Sequence, residues 1–539
     1  KFNPQFLLNQ GSNRVASTLG NAIYVGGYAL FLFFVSLLLF MREKNSVWRW
    51  AEGALGLLAI VGIFLSGTRG SMLGLGAGGT VALFGYAVLY KDKPKVRLAL
   101  LSFFGLIVLS LFILYLNRSN PFVQKIPGIG RLMSSSFLAG NNTTRLIAWN
   151  IAIESWKQMP VFGWGPNNFF YAFNQHYNPK SLQFGYGETW FDNAHNIILN
   201  TLTVQGIFGV FTYLSIFIIS FTMLWRSRQQ QNIHLIILGS CFLVAHLVQN
   251  VTVFENPTSY MYFMFWLALV NWATSTPPDS TENLSQQNKI ETTFNDKKIG
   301  MGSAGAVYSV ALLFIIIFNI QPARANMKTL SALEQFGRDL SLGETAVKEA
   351  LRFNSPHVDD IRSDLSRTMI EVVGGIYQKI GPGKSAELLF IASEALQKNI
   401  ILHPFDIRNY LLLSQLSQLG FTLDKNPKHV TDAEIYLESA MRYSPKRQQL
   451  AYMLASMKMQ LGKKDETIRL LQETLDNNPM ISESYWRLAY AHYVFGDIPK
   501  AKEIIASAKQ QEMTFTGYGL QVEQIIMSAA PVKANGTKK

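Results

Sequence analysis

The feature that most constrains this chain is a succession of apolar runs, each about 20 residues long, crowded into its first 320 residues. One such run, coiled as a helix, crosses the roughly 30 Å of hydrocarbon in a bilayer. The runs lie near 21–40, 51–67, 71–90, 97–116, 196–225, 233–250, 259–273 and 304–320, which sets an expectation of eight membrane spans, the fifth long and the seventh short. Lys and Arg gather in the short loops between them: Arg42, Lys44 and Arg49; Lys91, Lys93, Lys95 and Arg97; Arg226 and Arg228. If the spans alternate, these three loops share one side, which the excess of positive charge makes cytoplasmic. The opposite side then receives the turn around Arg69, the long loop 117–195, the turn 251–258 and everything after 320. This placement accounts for a formal charge of +13 without any nucleic acid. The one cysteine, Cys241, sits inside an apolar run, so neither an internal disulfide nor a Cys-based metal site can be built. The chain opens at Lys1 on a polar stretch, and sequence upstream of it is expected to be missing.

Residues 274–303 are rich in Ser, Thr, Asn and Pro and read as a disordered cytoplasmic linker before the last span. After 326 the pattern changes to amphipathic helices separated by turns. Gly462 and Gly496 are 34 residues apart, as are Pro445 and Pro479. Aligning 448–481 with 482–515 sets Leu454 over Leu488, Ala455 over Ala489 and Leu471 over Ile505, while Ala433 and Ala440 fit the end of a preceding copy. A 34-residue period with small residues at helix crossings resembles the tetratricopeptide repeat. Its units stack because none buries its apolar face alone. The expected fold is therefore all-α: a polytopic membrane helix bundle over 1–320, followed by a soluble α-solenoid over 327–530. Solenoids of this kind bind partner proteins more often than they do chemistry, so a protein partner is expected there if anywhere.

Three places in the membrane half have residues suited to chemistry. In SGTRGS at 66–71, Arg69 follows directly on an apolar run. A charge there must face water, a cavity or an anion, or else snorkel to lipid headgroups. Gly67 and Gly70 let the backbone turn tightly beside it. In 141–158, an amphipathic helix places Arg145 near its N-terminal end. The helix dipole disfavours a cation there unless an anion is bound with it; a salt bridge to a loop carboxylate is the plainer alternative. In FDNAHN at 191–196, His195 stands at the mouth of the fifth span. Histidine transfers protons near neutral pH, and Asp192 lies close enough in sequence to orient the ring. His176, His234 and His246 have no comparable company. No P-loop, dinucleotide fingerprint or HExxH occurs, and nothing in the sequence looks like a nucleotide-driven pump. Two arginines and a histidine on one outer face suit a lipid-linked diphosphate, because guanidinium forks match phosphate oxygens.

Four stretches in this order resemble the O-antigen ligase and polymerase superfamily: STLGNAIYVGGY at 17–28, SGTRGS at 66–71, TTRLIAWNIAIESWKQMPVFGWGPNNF at 143–169 and AHNIILNTLTVQGIFG at 194–209. Thr68 stands where Ser is common, and the family usually has more spans. The resemblance implies transfer of a glycan from an undecaprenyl diphosphate donor at the outer face of the bacterial plasma membrane, with inversion and with neither metal nor other cofactor. His195 would take the proton of an acceptor hydroxyl, Arg69 and Arg145 would hold the departing diphosphate, and Asp192, Asn196 and Gly70 would support them. The acceptor, whether lipid-A core, another repeat unit or a protein hydroxyl, separates ligase from polymerase and from protein O-oligosaccharyltransferase. A non-enzymatic scaffold or a transporter is the competing class. A transporter would show broken helices and polar residues near the bilayer midplane.

Overall fold

In a computed structural model the protein is described over residues 14–89, 93–126, 128–133, 141–229, 233–275, 301–336, 338–352 and 355–529. The expected linker therefore lies outside the described residues over 276–300, as does Lys91 of the charged loops. The chain divides into two compact units. One comprises 1–173 and 190–290; the other comprises 174–189 and 291–539.

The first unit contains α1 (Ala22–Arg42), α2 (Ser46–Ser66), α3 (Arg69–Leu89), α4 (Pro94–Leu116), the short α5 (Pro121–Lys125) and α6 (Ile129–Met133), α7 (Asn141–Gln158), most of α8 (Phe169–Gln175), α9 (Ile197–Arg226), α10 (Ile233–Val251) and α11 (Pro257–Ser275). Asn21 and Asn45 cap α1 and α2 by accepting the N–H of Ile23 and Val47 at 2.9 Å each, as short polar side chains do at helix starts. Gly70, Gly74 and Gly78 repeat every fourth residue along one face of α3, and α10 packs onto that face. A methyl group on Gly78 would come within 3.0 Å of the Cys241 carbonyl and 3.1 Å of Ala245 Cβ. Small residues at this spacing let membrane helices approach backbone to backbone. The core is aromatic, built from Phe34 of α1, Phe242 of α10, and Phe263 and Trp266 of α11, all fully buried.

Seven helices among the described residues are long and apolar enough to cross a membrane: α1, α2, α3, α4, α9, α10 and Gly305–Phe336. The remaining expected span, the short seventh run at 259–273, does form a helix, α11, but it is not among those seven.

In α9, Gly206 breaks the helix with φ 66° and ψ −165°. The Thr203 carbonyl and Ile207 N–H, which would pair in an unbroken helix, are taken instead by the loop 159–165. Trp164 N–H donates to the Thr203 carbonyl at 2.9 Å, and Ile207 N–H donates to the Pro160 carbonyl at 2.9 Å. The fit is backbone on backbone, because a Cβ on Gly163 would lie 2.5 Å from Gln205 N. The long fifth run is thus an interrupted helix whose gap is closed by its own loop.

The second unit starts with Asn174–Thr189 and resumes with α12 (Met301–Ile315), a π-turn (Ile316–Ile320) and α13 (Gln321–Phe336), followed by α14 (Leu340–Arg352), α15 (Val358–Leu402), α16 (Ile407–Asp424), α17 (Pro427–Tyr443), α18 (Gln448–Gln460), α19 (Lys464–Asn477), α20 (Ser482–Val494), α21 (Ile498–Gln510) and α22 (Tyr518–Ser528). Successive helices pack in pairs and form a solenoid. The 34-residue register holds: Leu454, Leu488, Ala455, Ala489, Leu471, Ile505, Ala433 and Ala440 are all buried. Gly462 and Gly496 both turn with positive φ, 72° and 83°. Gly381, with φ 78°, breaks α15 where the Gly-Pro-Gly of the sequence lies. Between α17 and α19, the Lys458 ammonium holds Glu434, Glu438 and Glu466 at 2.7–2.8 Å.

Candidate functional site

The three residues singled out from sequence belong to elements that meet at one turn, 252–256, between α10 and α11. Arg145 of α7 donates from Nη1 to the Thr252 carbonyl at 3.1 Å. Gly70, next to Arg69 at the start of α3, lies so close to the same residue that a Cβ there would strike Thr252 Oγ1 and sit 3.0 Å from the Gln249 carbonyl. Gly70 thus has a packing reason to be glycine. The His195 ring is wedged between Phe191, at 5.7 Å, and Phe254 of the turn, at 5.3 Å, edge-on to both.

Local structure explains how His195 is presented. Asn196 is the N-cap of α9, its Oδ1 accepting from Ile198 N–H at 3.0 Å and Leu199 N–H at 3.2 Å. His195 precedes that cap with φ 50°, a left-handed backbone that a non-glycine residue holds only when its surroundings enforce it. Asn193 does so, accepting the His195 N–H on Oδ1 at 2.9 Å, while its carbonyl stands 3.3 Å from Nδ1. Trp149 of α7 donates from Nε1 to the Ala194 carbonyl at 2.9 Å, which ties the helix carrying Arg145 to the residue before the histidine. If Nδ1 donates to the Asn193 carbonyl, the neutral ring carries its lone pair on Nε2. Asp192 is exposed and accepts from Asn193 Nδ2 at 2.9 Å.

Two further residues at this end were not singled out in the sequence. Arg14 donates from Nε to the Ser66 carbonyl at 2.8 Å and from Nη2 to Thr68 Oγ1 at 3.0 Å, so a third guanidinium braces the SGTRGS turn. Glu255 anchors the 252–256 turn itself. Its Oε1 accepts from His246 Nε2 at 2.8 Å, Asn250 Nδ2 at 2.9 Å and Tyr213 OH at 3.2 Å, and its Oε2 accepts from Ser259 Oγ. Burial alone would raise the Glu255 carboxyl pKa, but His246 and these hydrogen bonds outweigh it and hold it below the ordinary carboxylate range. The reading that His246 and His234 lack company is corrected: His246 pairs with Glu255, and His234 Nδ1 lies 2.8 Å from Tyr86 OH. A signal for Glu255 existed, since a lone acid between two apolar runs is costly unless partnered.

These features define a polytopic membrane protein in which Arg145, the Arg69–Gly70 helix start and His195 gather around one turn between two helices. Residues 54–214 match the family model described as O-Antigen ligase, so this stretch, which contains Arg69, Arg145 and His195, is similar to an O-antigen ligase or polymerase-type membrane glycosyltransferase. No curated protein matches the chain. Among solved structures it is similar to a thermophilic tetratricopeptide-repeat protein of Thermus thermophilus, at 18% identity, covering 38% of this chain and 97% of that one with a TM-score of 0.26.

Proposed function

We propose that this protein moves a glycan from undecaprenyl diphosphate to an acceptor hydroxyl at the outer face of the bacterial plasma membrane, in the manner of an O-antigen ligase. The observation that carries this reading is the convergence of Arg145, the Arg69–Gly70 helix start and His195 on the turn 252–256. His195 Nε2 removes the proton from the acceptor hydroxyl as its oxygen attacks the anomeric carbon. The bond from that carbon to the diphosphate oxygen breaks on the opposite face, so the centre inverts. Arg69 and Arg145 neutralise the leaving diphosphate, whose charge rises as the bond breaks. The repeat domain stands on the same extracytoplasmic side. That placement is supported by the direct hydrogen bonds of Arg447 and Gln448 in the repeat helices to loop residues Asn174, Pro179 and Thr189, which must lie on the same side of a bilayer.

The test is glycan transfer by membranes carrying the full-length protein at matched expression, with a lipid-linked glycan extract as donor. Loss of a general base typically costs about 10²–10⁴-fold in rate, so His195→Ala should abolish detectable product while lipid-linked donor accumulates. Transfer at the wild-type rate by His195→Ala would overturn the assignment and bring forward the scaffold reading. The molecule that receives the glycan in the same assay distinguishes ligase from polymerase and from protein glycosylation.

A further inference from the structure

The second unit is built around a piece of the membrane half's own long loop. Residues 174–189 leave the first unit after Phe173 and return to it at Trp190. Between those points the repeat helices bind them as they would a peptide ligand. The grip centres on Arg447, which directly precedes α18 and is fully buried. Its Nη2 donates to Asn174 Oδ1 at 2.7 Å and its Nη1 to the Thr189 carbonyl at 2.9 Å, so one guanidinium holds both ends of the segment. The same group lies 4.4 Å over the Tyr177 ring. Ser444 Oγ donates to the Asn174 carbonyl at 2.8 Å, and Gln448 Nε2 and Asn478 Nδ2 both donate to the Pro179 carbonyl, at 2.9 Å and 3.2 Å. Gln183 Nε2 donates to Asn478 Oδ1 at 3.0 Å, Tyr186 OH donates to Glu483, and Leu182 enters the apolar core beside Tyr452 and Tyr485.

We infer that residues 174–189 are a latch in cis, and that Arg447 is a positioning residue for the transfer reaction. This inference rests on the proposed role of His195. Thr189 stands six residues before His195 in the chain. His195 holds a left-handed backbone that its neighbours must enforce, and a loop whose neck is pinned at Thr189 has fewer alternatives to that conformation. The planar fork of an arginine reaches two carbonyl-type oxygens at once; a lysine, with a single ammonium, does not. This face of the solenoid is therefore occupied by the chain's own loop, and a separate partner would have to displace it.

The test uses full-length protein in membranes, with Cys241→Ala to clear the native thiol. Arg447→Met should expose the segment to trypsin at Lys180 at least tenfold faster and lower kcat for transfer about tenfold, with KM for donor and acceptor within twofold. Arg447→Lys should not rescue it. Adding Gln183→Cys and Asn478→Cys to the Met variant, then bridging them with a short bis-methanethiosulfonate reagent, should restore protection and at least half of kcat, and reductant should reverse both. Unchanged proteolysis in Arg447→Met would overturn the latch. A bridge that forms without restoring kcat would overturn the positioning role. If wild-type protein transfers no glycan, the proposed function fails, while the proteolysis and bridging results still judge the latch. Should Arg447→Met fail to reach the membrane, Gln448→Leu is expected to give the same changes at smaller amplitude, and no change in proteolysis there would count against the latch.

Discussion

Gly206 offers a sharp test of how the membrane unit is held together. Its φ of 66° and ψ of −165° fall where essentially only glycine is found, and placing another residue there costs about 1–3 kcal/mol. Alanine would also overlap the Val161 carbonyl and lie 2.6 Å from Phe162 N, atoms of a backbone that cannot swing aside as a side-chain tip does. Moving that loop sacrifices the Pro160–Ile207 and Trp164–Thr203 hydrogen bonds, each 2.9 Å long and each worth about 0.5–1.5 kcal/mol net. Together these give about 2–6 kcal/mol against Gly206→Ala. The way to relax is to straighten α9, which re-forms the Thr203–Ile207 pair and releases the 159–165 loop. The assay is thermal unfolding of detergent-solubilised full-length protein, together with the rate of chymotryptic cleavage in that loop. Gly76→Ala is the matched control: it also lies in a membrane helix, has nothing within 4 Å of its added methyl, and should be neutral or stabilising by up to about 1 kcal/mol. If Gly206→Ala melts with the control and its loop stays protected, the account of the broken helix is wrong.

Three further outcomes follow from the geometry. Glu255→Ala strips the acceptor shared by His246, Asn250, Tyr213 and Ser259 and should cost about 3–5 kcal/mol, the usual penalty for breaking a buried pair; melting of the variant beside Glu255→Leu/His246→Leu, which removes both partners and should recover most of the loss, checks it. Acid should weaken the repeat unit. Burial would raise the Glu434 carboxyl, but hydrogen bonds from Lys458 and Lys463 outweigh that and hold its pKa below the ordinary value. A depressed carboxyl contributes stability above its unfolded pKa, and that contribution fades as pH falls through the folded value. Melting temperature should therefore drop as pH goes from about 5 to 3, and Lys458→Met should flatten the slope; an equal slope in the variant would assign the acid sensitivity elsewhere. Under the proposed function, Arg145→Lys should lower donor turnover while leaving membrane insertion intact, because one ammonium cannot both donate to Thr252 and offer a fork to the leaving diphosphate; normal turnover would remove Arg145 from the proposed site.

Much of this architecture was legible because local periodicity carries it. Apolar runs of span length and a 34-residue beat of Gly, Pro, Leu and Ala are patterns within a short window, and the helices fall where those windows lie. The bounds of α7 are those read from 141–158. His195 and Arg69 stood out because each is a polar residue beside an apolar run, and Arg145 because it is a cation in the first turn of a helix. What stayed hidden depends on partners far apart in the chain. Arg14 meets Ser66 52 residues on, and Arg447 meets Asn174 273 residues away. No spacing rule points from one to the other. The interruption at Gly206 lies between these cases. A run of 30 residues is longer than a bilayer requires, and the excess length was the visible trace of a break whose position the sequence did not mark.

The non-contiguous second unit has a consequence for synthesis. Thr189 emerges 258 residues before Arg447, which at roughly 5–20 residues per second is a wait of roughly 13–50 s. Throughout that interval Leu182, Tyr177 and Tyr186 have no repeat helices to cover them. The loop must be kept from aggregation, or from mispairing with a neighbouring nascent chain, until the last repeats arrive. A ribosome that stalls, or a transcript that ends, before residue 447 would thus leave more than a missing tail: it would leave an inserted membrane bundle displaying an uncovered segment, a form that quality-control proteases are equipped to recognise.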